Sequence, residues 1–126
     1  MEDIIIQETE RTPEIKLLLS EGLLSIKGES FPEDVAAFYG QVISSIDSLK
    51  GELDKKMKVL VALIYTNSSS IKALYRIFEG LDNIRQTGGD LEVTWLFQED
   101  DDIMEELGED FRDRFPDLGI QITSQD

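Results

Sequence analysis

The chain has 126 residues, of which 40% are hydrophobic and 31% charged, enough for one α/β domain over 1–126 that buries roughly two-thirds of its unfolded surface. It contains no cysteine and no histidine, which excludes disulfides, thiolate nucleophiles, imidazole general bases and a histidine phosphorelay. Acids outnumber bases 27 to 12, and the net charge of −15 makes nucleic acid and anionic membranes poor partners while permitting a basic protein partner.

No apolar run approaches the roughly 20 residues that a membrane span needs. The start, with Glu2 and Asp3 ahead of Ile4-Ile5-Ile6, lacks the basic region of a secretion signal, so a reducing, cytoplasmic setting is expected. Residues 1–14 read as an extended arm that docks one short strand through Ile4-Ile5-Ile6. Ile15 to Leu19 and Leu23 to Lys27 form a hairpin across Ser20-Glu21-Gly22, with Gly22 free to take positive φ. Ser30-Phe31-Pro32-Glu33 has the Ser-x-x-Glu form of a capping box and predicts a helix start. Val35, Phe38, Tyr39, Val42, Ile43, Ile46 and Leu49 then recur at helical spacing up to Gly51.

Met57 to Tyr65, MKVLVALIY, is almost wholly apolar and predicts a strand buried on both faces. After Thr66-Asn67-Ser68-Ser69-Ser70, a second helix runs through Ile71, Leu74, Ile77, Phe78, Leu81 and Ile84 and ends at Gly88-Gly89. Leu91 to Gln98 is a further strand. The acids Glu99 to Asp102 precede a third helix, with Ile103, Met104, Leu107, Phe111 and Phe115 on its apolar side, which stops at Pro116. Ile120 to Thr123 offers a last strand. The order β-β-α-β-α-β-α-β implies a mixed sheet with an N-terminal hairpin and helices packed against it.

The chemistry-bearing segment is Tyr65 to Lys72, between a buried strand and a helix, where functional loops of α/β sheets gather. Free backbone N–H groups and the helix dipole favour negative charge at Ser68, Ser69 and Ser70. Lys72 lies one turn beyond Ser68. Capping alone accounts for an Asn-Ser run, yet losing one cap costs only about 1 kcal/mol, which three serines hardly need to prevent. No P-loop pattern is present. Ser69-x-x-Lys72 has the spacing of a Ser-Lys hydrolase but none of its surrounding motifs. The acids at 99–102 lack the spacing of a calcium loop and read as helix-capping residues. No metal or cofactor is expected. Trp95, Phe97, Phe78 and Phe38 read as core, whereas Tyr39 and Tyr75 are compatible with partial exposure.

Gly28-x-Ser30-Phe31-Pro32-Glu33 and Tyr65-x-Asn67-Ser68-Ser69-Ser70-Ile71-Lys72, with Thr12-Pro13 near the start, resemble the SiaC-like regulatory phosphoproteins of bacteria. The resemblance extends over nearly the whole chain. It implies a STAS-like fold and the logic of anti-sigma-factor-antagonist partner switching. The implied partners are a serine/threonine kinase of the histidine-kinase-like ATPase type, a PP2C-type phosphatase and a diguanylate cyclase, in the setting of cyclic-di-GMP signalling and biofilm formation. The family's acceptor is the hydroxyl residue directly after the Asn, often Thr. Here it is Ser68, with Ser69 and Ser70 as rivals and Asn67 and Lys72 beside the phosphate. The chain is expected to be monomeric alone. The alternatives are a constitutive adaptor whose serines only cap, and a small hydrolase using Ser69 and Lys72.

Overall fold

Alternating apolar residues build a six-stranded sheet, and helical repeats supply three helices that cover one side of it. The computed structural model describes residues 3–125. In chain order the elements are β1 (Ile4–Ile6), β2 (Glu14–Leu18), β3 (Leu23–Ser30), α1 (Val35–Ser48), β4 (Met57–Thr66), α2 (Ser68–Gln86), β5 (Leu91–Gln98), α3 (Asp102–Arg114), a 3-10 turn (Pro116–Leu118) and β6 (Gln121–Gln125). The strands lie side by side in sequence order. β1, β2 and β3 pair antiparallel, and β3 to β6 run parallel.

The arm docks a strand as expected, with Ile4 opposite Leu17 and Ile6 opposite Ile15. In the hairpin Leu18 faces Leu23, and Gly22 takes φ 65°. A side chain at Gly22 would also strike the carbonyl oxygen of Lys56, so this turn requires glycine twice over.

Three successive crossovers step the same way across the sheet, so right-handed connections put α1, α2 and α3 on one face. That face holds Ile15, Leu17, Leu24, Ile26, Val59, Val61, Val93 and Trp95, all buried. Among the described residues, the other face carries no helix. This corrects the reading of β4 as buried on both sides: Met57, Val59, Val61 and Leu63 are buried, whereas Lys58 is exposed and Leu60 and Ala62 are half-buried. The apolar run reflects a parallel central strand, but only alternate residues meet the helices.

The capping box also fails. β3 stays paired with β4 as far as Ser30 opposite Thr66, so Ser30 is strand rather than cap. Pro32 holds Phe31 extended and delays the helix. Asp34 takes the capping role, its Oδ1 accepting from the Ala37 N–H at 3.0 Å. The freed Ser30 hydroxyl is buried and shares a 2.5 Å hydrogen bond with the Tyr39 hydroxyl. Tyr39 is thus wholly inside, and burial raises its pKa above the ordinary 10.0 while the Ser30 bond partly offsets the rise.

A folded-state pKa raised above the unfolded one contributes stability that is complete below pH 10 and is lost as pH climbs towards the folded value. Tyr39→Phe should therefore flatten the loss of stability above pH 10. At neutral pH it strands Ser30 Oγ in the core, at a cost of about 1–3 kcal/mol. Urea unfolding of both proteins at neutral and alkaline pH checks both statements.

α3 approaches the sheet closely because Gly108 lies over Trp95. A Cβ at Gly108 would stand 2.6 Å from Trp95 Cδ1. Gly40 on α1 has open space around the same position. Gly40→Ala should gain up to about 1 kcal/mol from helix propensity. Gly108→Ala should lose about 1–2 kcal/mol net, because the clash with a fixed ring outweighs that gain. Thermal unfolding of the pair checks the sign of each.

Candidate functional site

β3 and β4 are parallel neighbours, so the connections leaving their carboxyl ends emerge together. Asn67 N–H donates to Ser30 O at 3.1 Å, tying the two connections at their base. The rings of Phe31 and Tyr65 meet edge to face, 5.6 Å apart. The arm closes over the same place. Phe31 N–H donates to Arg11 O at 2.7 Å, and Arg11 Nη1 pairs with Glu33 Oε1 at 2.8 Å. Thr9 Oγ1 accepts from the N–H groups of Arg11 and Thr12, which fixes the turn that carries Arg11. Three segments distant in sequence, around 9–13, 28–34 and 65–72, thus form one surface.

A bulge shapes it. Gly28 pairs with Leu63 and Glu29 with Tyr65, which leaves Ile64 as the extra residue on β4. Such an insertion bends the strand and re-aims its side chains. Ile64 and Tyr65 are 57% and 50% exposed.

Asn67 is the N-cap of α2. Its Oδ1 accepts from Ser70 N–H at 2.9 Å, and its carbonyl accepts from Ile71 N–H at 3.0 Å. Ser68 and Ser69 are exposed in the first turn, where backbone N–H groups lack intrahelical acceptors. Ser70 is different: it is fully buried, and its Oγ has no hydrogen-bond partner among the described residues. Lys72 is exposed on the next turn. Ser69 and Lys72 lie on the solvent side of one helix rather than in a cleft. A lysine base is activated by burial or by neighbouring cations, and this position offers no burial. Asp101 Oδ1 accepts from Met104 N–H at 3.1 Å, the capping role expected of the acids before α3.

Beside the start of α2 runs a groove of about 360 Å³ between the end of β4, α2 and α3. Ile64, Ile71, Ile103 and Leu107 line it, and Ile103 is 79% exposed. This surface was not read from the sequence, because Ile103 and Leu107 continue the apolar repeat of α3. The available signal was that Met104, Gly108, Phe111 and Phe115 already fill the buried stripe of that helix, leaving Ile103 and Leu107 on a second one.

The model of a family described as SiaC family regulatory phosphoprotein matches residues 6–125. The chain belongs to the SiaC family. An uncharacterised protein of Pseudomonas aeruginosa strain UCBPP-PA14 is 32% identical over 113 residues, 90% of each chain. Apo-SiaC from Pseudomonas aeruginosa superposes with a TM-score of 0.81 at 30% identity, covering all of both chains. A crystal structure of diguanylate cyclase SiaD in complex with its activator SiaC, from the same organism, matches with a TM-score of 0.90 at 29% identity over 98% of this chain and 100% of that one. The SiaC fold thus accounts for the whole sheet and all three helices. The converging segments are the ones that carried the resemblance to SiaC in the sequence. Among the described residues, no helix is long and apolar enough to cross a membrane.

Proposed function

We propose that this SiaC-family chain is a non-catalytic, single-domain cytoplasmic switch, phosphorylated on Ser68, whose output partner is a diguanylate cyclase. The observation that carries the reading is the exposed Ser68 hydroxyl at the capped start of α2, where the three segments converge. SiaC of Pseudomonas aeruginosa, an activator of the cyclase SiaD, supports the choice of output. Burial counts against Ser70 as acceptor, since a kinase would have to open the helix to reach it. Ser69 is reachable but stands one residue past the family's acceptor position.

A phosphoryl group at Ser68 adds about −1.5 to −2 charges and three acceptor oxygens. The free N–H groups of the first turn and the helix dipole stabilise it where it stands. The fold need not change. The modified surface is bulkier and strongly hydrated, so a partner that lies flat on the start of α2 loses its fit. A serine/threonine kinase of the histidine-kinase-like ATPase type and a PP2C-type phosphatase would set the state, with Asn67, Ser69 and Lys72 framing the phosphate.

The test is site-resolved mass spectrometry of the protein from its native host, before and after treatment with a PP2C-type phosphatase. Phosphate on Ser68, removed by the phosphatase, is expected. If no phosphate appears on Ser68 or Ser69 under any growth condition, and the cognate kinase adds none in vitro, the constitutive adaptor replaces the switch.

A further inference from the structure

Ile5, Ile64, Tyr65 and Ile103 are the exposed large hydrophobic residues among the described ones, and all but Ile5 meet at the groove beside α2. Apolar side chains gathered in one groove and rimmed by polar residues are the kind of surface that marks an interaction site. The ionisable residues on its rim are Asp101, Glu106 and Asp110, with Tyr65 beside them, so its charges are all negative. On the outer side of α3, Asp102, Glu105 and Glu109 extend the negative field, which Arg112 interrupts in the last turn. Lys72 stands beyond Ile71 on the α2 side. Arg114 lies at the far end of α3, drawn over the Tyr75 ring at 5.7 Å.

We infer that this groove seats a basic amphipathic helix of a protein partner, its apolar residues on Ile64, Ile71, Ile103 and Leu107 and its lysines or arginines against the rim. Ile103 to Asp110 is two turns of α3, about 10 Å of groove, which matches apolar anchors spaced i, i+3 or i+4 and i+7. The volume takes a few aliphatic side chains, not a domain. Another copy of this chain would bring its own acidic rim and a charge of −15 to the contact, and repulsion disfavours it. The inference rests on the reading of the chain as a protein-binding switch, and it names the surface and the chemistry of the partner. It does not depend on which residue carries phosphate.

Two labelled peptides of about 18 residues, five helical turns, provide the test. Both have leucine on one face. One has lysine on the other face, and its twin has glutamate. Fluorescence anisotropy with the full, unmodified chain at physiological salt is expected to show the lysine peptide binding at least tenfold more tightly than the glutamate peptide. Ile103→Asp is the deciding variant. It adds a negative charge, so attraction to the acidic surface alone would tighten binding, whereas a seated helix loses at least tenfold. Ile103 is far enough into solvent for the variant to fold, which circular dichroism checks. Equal binding of the two peptides, no binding of the lysine peptide, or unchanged or tighter binding to Ile103→Asp would overturn the inference. Sedimentation showing that the wild-type chain self-associates and that Ile103→Asp does not would assign the groove to a second copy instead. None of these outcomes alters the phosphate map, so the groove and the Ser68 switch stand or fall separately.

Discussion

If the proposed switch holds, phosphorylated wild-type protein is expected to bind the proposed cyclase partner about 10- to 1,000-fold more weakly than the Ser68→Ala variant, which takes up no phosphate at that position and behaves as the unmodified chain. The magnitudes decide the direction. Burying a charged group in a contact costs several kcal/mol after relaxation, even for a single ion. A cation brought close to the phosphoryl group at the wet rim of the site returns only about 1–4 kcal/mol. Penalty therefore exceeds attraction for a partner that covers the start of α2, even a basic one. Ser68→Glu, with one negative charge and a different shape, should reproduce only part of the effect. Ser69→Ala should remain a full kinase substrate, since Ser68 and the Asn67 cap are untouched. Isothermal titration of the cyclase against the four proteins measures this. Identical affinities for the phosphorylated protein and Ser68→Ala would sink the mechanism, and loss of phosphorylation in Ser69→Ala alone would move the acceptor.

The fold was legible wherever one local signal outweighed its competitors. β5 runs from Leu91 to Gln98, the span expected from its composition, and α2 begins after Asn67 and ends just before Gly88-Gly89. The failures share a cause, which is pairing between strands distant in sequence. Ser30 has the local form of a cap, but whether it caps depends on how far β3 follows β4, and Thr66 opposite it settles that. The composition of β4 shows that it is central, yet only the direction of the crossovers shows that one face lacks helices. At the candidate site, helix-start chemistry drew attention to Asn67, Ser68, Ser69 and Lys72, and only the resemblance to the SiaC family singled out Ser68. Sorting Ser70 from its neighbours required the helix phase, which turns it fully inward. Ile64 is exposed by a bulge, and a bulge is a relation between two strands. Arg11 and Glu33 pair across 22 positions, which neither residue's surroundings announce.

The position of α3 is expected to depend on Trp95 more than on any residue of the helix itself. Trp95 is the single tryptophan and is fully buried. Its Nε1 donates to Met104 O at 3.0 Å, its ring meets Phe111 and Phe78 with centroids 5.0 and 6.3 Å apart, and Gly108 lets the helix backbone rest against it. Trp95→Ala should cost about 3–5 kcal/mol, from lost transfer energy and from a cavity that three elements cannot close together. Native domains hold only about 5–15 kcal/mol in all, so the variant should be partly unfolded or melt far below the wild type. Trp95→Phe keeps most of the apolar volume but removes the indole N–H bond to the Met104 carbonyl, which retains its helical partner, at about 0.5–1.5 kcal/mol. Urea unfolding followed by far-ultraviolet circular dichroism reads both variants, since the fluorophore is gone. A loss under about 1 kcal/mol in Trp95→Ala would show that α3 is held by something other than this contact. Trp95→Phe then separates the groove from the proposed switch: it should loosen the α3 wall of the groove and weaken the lysine peptide while leaving phosphorylation at Ser68, the acceptor proposed on α2, unchanged.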